Sequence, residues 1–178
     1  MAGTRPVFYW DTCIFLAWLK DETTRKPGEM EGVEDVLARF KRRDVGLMTS
    51  AVTLIEASAA KIPASLFVQL EDVMQRPNFS RISVDIRVAK LARDLRDYYT
   101  LRPETYGKLT LSVPDAIHVA SAILYRATEM HTFDKKDKPK YETLGLLPLS
   151  GGIGGYNLKI CMPPGPMQSE IKWPATPE

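Results

Sequence analysis

Four carboxylates occupy positions that ordinary solvated surface does not explain. Asp11 interrupts the apolar run VFYWDTCIFLAWL, and Glu56 sits among apolar and small residues in TLIEASAAK. Asp115 follows a proline in SVPDAIHVASAILY, and Asp134 closes the apolar part of HTFDKKD. A buried carboxylate with no partner takes up a proton rather than stay charged. Each of the four therefore needs an exposed position or something positive beside it. Taken singly they have plain structural readings. Asp115 would favour the positive end of its own helix, Asp11 and Asp134 would be turn residues at strand ends, and Glu56 a solvated helix position. Gathered at one place they repel one another unless a cation holds them. Carboxylates with no Cys or His cluster suit the hard ions Mg²⁺ and Mn²⁺. Such an ion polarises a phosphoryl oxygen and supplies hydroxide from bound water, so no separate histidine base is required.

The elements that must position these acids alternate along the chain. Val7–Trp10 is short, aromatic and β-branched with no polar alternation, which predicts a strand covered on both faces. Helices are predicted over 12–20 and 30–43, the second with Val33, Val36, Leu37 and Phe40 on one face. A strand follows at 45–49, then a helix capped by Ser50 and running to about Lys61. Pro63 opens a further helix, 79–84 alternates as a strand, and Asp85 caps a long helix striped by Val88, Leu91, Ala92, Leu95 and Tyr99. Pro114 opens a helix to about Ala127, and strands are predicted at 130–133 and 158–162. Strands separated by helices imply an α/β fold: a single domain with a central parallel sheet and helices on both faces. Ligands of such sheets bind beyond the carboxyl ends of the strands. Asp11, the first residue past a buried strand, falls at that rim.

Composition limits the function classes. The chain has 178 residues, within the roughly 100–200 expected of one domain. Its net charge of +2 is too small to imply nucleic-acid binding by itself, so any basic footprint must be local. Cys13 and Cys161 stand far apart, with no CxxC pair and no histidine cluster in the sequence nearby, which argues against structural zinc and a disulfide framework. No apolar run is long enough to span a bilayer, and no signal peptide opens the chain. A soluble, cytoplasmic protein with no membrane partner is expected.

The pieces FYWDTCIF, TLIEAS, PDAIHVASA and TFD, in this order over residues 7 to about 162, resemble the PIN-domain nucleases, a family that includes the VapC-type toxins of bacterial toxin–antitoxin pairs. The resemblance is most specific in DAIHVASA, where Ala116, Ala120 and Ala122 are small positions for packing a helix on the sheet. It implies a divalent-metal-dependent endoribonuclease, with Asp11, Glu56, Asp115 and Asp134 as an acidic pocket for Mg²⁺ or Mn²⁺ and Thr12 orienting a ligand or water. It implies RNA as substrate, a small antitoxin as partner and a homodimer as the assembly to consider. The domain would span 1–162, leaving 163–178 as a Pro-rich tail longer than a minimal toxin needs. Cys13 stands where the family often has Ser or Asn. Asp137 stands where an aromatic is common, which leaves Asp134 and Asp137 as alternatives for the fourth acid, Asp134 being favoured.

Further candidates carry less. His118, three residues after Asp115, shares its helix face and would contact substrate or Asp115, or else be a packed histidine. Lys135, Lys136, Lys138 and Lys140 in KKDKPK would hold phosphates beside the pocket, or be a solvated loop. A phosphatase with Asp11 as nucleophile is disfavoured because the residue two positions on is Cys13 rather than Asp. The alternative from another class is a catalytically inactive module that binds nucleic acid or protein. The presence of all four acids argues against it.

Overall fold

The structure is a computed structural model and describes residues 5–22, 26 and 28–165. In chain order the elements are β1 (Val7–Trp10), α1 (Thr12–Leu19), α2 (Glu29–Lys41), β2 (Gly46–Ser50), α3 (Val52–Ala59), α4 (Ala64–Met74) and β3 (Phe79–Ile82). Then come α5 (Ile86–Thr100), α6 (Pro103–Tyr106), α7 (Val113–Leu124), β4 (Glu129–His131), two 3₁₀ turns and β5 (Ile160–Cys161). The five strands form one sheet in the order β3-β2-β1-β4-β5, and every pairing is parallel.

The unbroken apolarity of β1 follows from its central place. Tyr9 faces a core built with α5 and α7, while Phe8 and Trp10 face a second core built with α1, α2 and α4. With both faces covered, alternation in sequence disappears. On α5 the stripe Val88, Leu91, Ala92, Leu95 and Tyr99 is buried, and Asp85 accepts from the Arg87 and Val88 amides. Ala116, Ala120 and Ala122 of α7 are fully buried, and their small side chains let that helix lie close to its neighbours.

Some boundaries differ from the sequence expectation. Ser50 ends β2 rather than capping α3; its hydroxyl accepts from Val52 N at 3.3 Å, one residue early for a cap. The strand expected at 130–133 is Glu129–His131; the Thr132 amide still donates to Cys161 O at 3.0 Å, and its hydroxyl donates to Asp11 and accepts from the Asp134 amide. The last strand is only Ile160–Cys161. A one-turn helix, α6, opened by Pro103, stands between α5 and α7. Past β5, Pro163 is buried and crosses α2 at Gly32, where a Cβ would lie 2.1 Å from the Pro163 carbonyl oxygen. Of the expected tail, 166–178 lies outside the described residues. Among the described residues no helix is long and apolar enough to cross a membrane.

Candidate active site

With β2 and β3 on one side of β1 and β4 and β5 on the other, the strand order reverses at the β1–β4 junction. A crevice opens there beyond the strand ends. It is a cleft of about 470 Å³ whose walls include Asp11, Glu56, Asp115, Asp134 and Lys138. Four acids that lie 123 positions apart at the extremes of sequence thus share one space.

Asp11 is only 6 % exposed. Its amide donates to His131 O at 3.1 Å, continuing the β1–β4 ladder. It stands at the N-cap of α1, yet its side chain caps nothing. Instead Oδ2 accepts from Thr132 Oγ1 at 2.7 Å and from Cys13 Sγ at 3.2 Å. Burial, with the charge of Asp11 beside it, holds the Cys13 thiol well above its ordinary pKa, so it remains a donor.

Glu56 reaches the cleft from α3. Its Oε2 accepts from Thr12 Oγ1 at 2.5 Å and is 2.8 Å from His118 Nε2. Burial raises its pKa, but the bonds from His118 and Thr12 outweigh that and bring it below the usual glutamate value. For His118 burial acts downward, and the bond to Glu56 with the charges of Asp11, Glu56 and Asp115 reverses it to a net rise.

Asp115 lies in the first turn of α7. Ser112, the N-cap, accepts from the Asp115 amide at 3.1 Å and donates to Asp115 Oδ2 at 2.5 Å. Burial pushes the Asp115 carboxyl up to about 6; the Ser112 bond opposes this, and the charges of Asp11 and Asp134 add to it.

Asp134 comes from the loop after β4. Its Oδ1 is 2.7 Å from Lys138 Nζ, and its Oδ2 is buried with no hydrogen-bond partner. Asp137, the other candidate for fourth acid, instead accepts from Gly145 N at 2.9 Å inside the loop. A buried carboxylate oxygen without a donor, next to acids that repel one another, is the environment a hard divalent cation satisfies. Asp11, Glu56 and His118 also cluster there, with a carboxylate oxygen or ring nitrogen of each within 4.8 Å of the others.

Of the other sequence candidates, Thr12 and His118 form the buried floor beneath Glu56. Lys135 turns to Glu29 at the start of α2, and Lys136 is exposed with its backbone packed against Gly145. Lys138 is the lysine on the cleft wall. Sequence reasoning treated Tyr9 as plain core and did not single out Thr132 or Ser112. A tyrosine in a fully buried strand is itself a signal, because its hydroxyl must find a partner.

One sequence inference is corrected. Cys161 does have a histidine neighbour, since the β4–β5 register sets it opposite His131, and Glu129 joins them. These groups are already committed to hydrogen bonds. The Trp10 indole N–H donates to His131 Nδ1 at 3.1 Å, so the ring proton is on Nε2, 3.2 Å from Glu129 Oε2. Lys159 binds the other Glu129 oxygen at 2.6 Å. The His131 bond, against burial and with help from Lys159, holds Glu129 down to about 2, and burial lifts the Cys161 thiol to about 12. This is a hydrogen-bonded brace of the sheet edge.

A family model described as PIN domain matches residues 8–138. No curated protein matches the chain significantly. Among solved structures, VapBC2 from Rickettsia felis, bound to a DNA fragment from its promoter, aligns with a TM-score of 0.54 at 14% identity, covering 86% of this chain and 96% of that one. FitAcB from Neisseria gonorrhoeae gives 0.47 at 22% identity over 71% and 87% of the two chains. The likeness to VapBC2 is one of fold.

Proposed function

The chain belongs to the PIN-domain family, and from that premise we propose that it is a metal-dependent endoribonuclease that hydrolyses RNA phosphodiester bonds. The observation that carries this reading is the acidic cleft, with its buried and unpartnered Asp134 Oδ2. Asp11, Glu56, Asp115 and Asp134 would hold Mg²⁺ or Mn²⁺, ions whose preference is for oxygen donors of this kind. Such an ion, when bound, supplies hydroxide from water and draws charge from a phosphoryl oxygen. Thr132 and Cys13 orient Asp11, Ser112 orients Asp115, and Lys138, on the cleft wall, would meet a scissile phosphate.

The order of the four motifs and the fold shared with VapBC2 support a further step, that the nuclease is the toxin of a toxin–antitoxin pair acting in the cytoplasm with a small antitoxin partner. The chemistry is tested by the ends it leaves on a labelled RNA. Attack by water gives 5′-phosphate and 3′-hydroxyl ends and needs no 2′-hydroxyl. Cyclic 2′,3′-phosphate products would reject it. Growth arrest on expression, relieved by a co-expressed small partner encoded beside it, tests the toxin role; expression without harm would reject that role alone.

A further inference from the structure

We propose that His118 is a positioning residue and not a metal ligand: held by Tyr9, it presents a fixed N–H that aims the Glu56 carboxylate into the cleft. The consequence for catalysis rests on the nuclease reading, whereas the geometry does not.

The assignment follows from counting donors. Tyr9 Oη accepts from the Ser50 amide at 2.9 Å, and a backbone N–H can only donate. The far side of the ring decides which way the 2.7 Å Tyr9–His118 bond runs: the Glu56 carboxylate can only accept, so the hydrogen of the neutral ring is on Nε2 and the Tyr9 hydroxyl donates to Nδ1. Nδ1 then carries the lone pair and Nε2 the hydrogen. Nε2 faces Glu56 Oε2 at 2.8 Å and Thr12 Oγ1 at 3.2 Å. When the ring takes a second proton, the Tyr9 oxygen accepts it and Nε2 keeps its own. In both states the nitrogen nearest Asp11, 3.7 Å from Oδ1, has no lone pair for an ion. Asp11 and Glu56 are thus the members of that close group with oxygens to offer.

Burial supports the same role. His118 is 0% exposed, so a substrate cannot reach it, and the Tyr9 ring meets it edge-on at 5.7 Å. Glu56 is the opposite case, with a side chain 30% exposed on a helix and several freely rotating bonds. His118 and Thr12 both bind its Oε2, which leaves Oε1 for a cation. Support of this kind for a ligating carboxylate is worth about 10–100-fold in metal affinity or activity.

The test is long-range proton–nitrogen NMR of the ring nitrogens in ¹⁵N-histidine-labelled protein, in EDTA and then in excess Mg²⁺. The chain has two histidines, so His118→Gln assigns the signals. Nε2 of His118 should carry a proton in both conditions. Tyr9→Phe should shift the Nδ1 signal of His118 alone, because that nitrogen loses its donor while Trp10 still holds His131. A bare Nε2, or one that loses its proton when Mg²⁺ binds, would overturn the proposal. So would a Tyr9→Phe spectrum unchanged at His118. Calorimetric Mg²⁺ binding adds a second readout: His118→Leu should weaken it by about 10–100-fold, and His118→Gln, whose amide N–H can reach Glu56, should recover most of that. Equal Mg²⁺ affinity in His118→Leu and wild type would also overturn it. None of these measurements uses RNA cleavage, so a protein inert toward RNA would remove the nuclease reading and leave this one standing.

Discussion

Lys138 Nζ lies 2.7 Å from Asp134 Oδ1, so the loop after β4 brings its own cation into the acidic cleft. Burial acts against the charged ammonium, but the bond to Asp134 and the nearby charges of Asp115 and Asp11 raise its pKa, and it stays protonated. The lysine is half exposed, so it can leave Asp134 for a phosphate at small cost. It thus partly offsets the acids' repulsion and would compete with a divalent ion at the proposed site for the same oxygen.

Lys138→Met should therefore act in two directions. Mg²⁺ should bind more tightly, by up to about fivefold, the scale of one partly exposed ion pair. RNA should bind more weakly across sequences, with the salt dependence of its affinity flattened by roughly one unit of slope. Lys135→Met should not change that slope, because its ammonium is engaged with Glu29. Titrations with Mg²⁺, and with RNA carrying an uncleavable backbone at several salt concentrations, check both. Unchanged slope in Lys138→Met would remove the lysine from the RNA path.

Asp115 makes one pH-dependent contribution to the stability of the metal-free protein. Its carboxyl sits at about 6 in the fold against an ordinary 3.8. The folded state holds the proton more tightly, so stability is lost as pH rises from about 4 to about 6 and is not regained above. Asp115→Asn should consequently be more stable than wild type in EDTA at pH 7, by about 1–2 kcal/mol, or a few degrees in Tm. Excess Mg²⁺ should narrow or reverse that gap, since it binds the folded wild-type site. Melts in EDTA with the mutant below wild type would show Asp115 to be a structural cap.

Glu129 supplies a control away from the cleft. Its carboxyl is held at about 2 against an ordinary 4.5, chiefly by His131. The stabilisation is therefore present above about 4.5 and fades as pH falls toward 2. Glu129→Gln should cost about 1–2 kcal/mol at pH 7, much less near pH 2, and leave RNA cleavage unchanged. A pH-independent cost would mean the loss comes from packing rather than from the ionised carboxylate.

What could be read from sequence was mostly local. The extent of β1, the buried stripe of α5 and its Asp85 cap, and the parallel alternation were legible because each is written in neighbouring residues. The motif order anticipated that Asp11, Glu56, Asp115 and Asp134 meet in one cleft. Partners distant in sequence were not legible. Tyr9 and His118 are 109 positions apart, and Lys135 finds Glu29 across 106, contacts that only the sheet order creates. The bond from Thr132 to Asp11 was missed for the same reason, since 121 positions separate the two residues.

The measurement closest to the central claim is RNA cleavage by purified protein stripped with EDTA, then resupplied with Mg²⁺ or Mn²⁺, beside Asp11→Asn prepared identically. The account expects no cleavage in EDTA, recovery on adding either ion, and none at any ion concentration from Asp11→Asn, although that variant melts no lower than wild type in EDTA. Cleavage that persists after exhaustive EDTA treatment, or wild-type cleavage by Asp11→Asn, would contradict it.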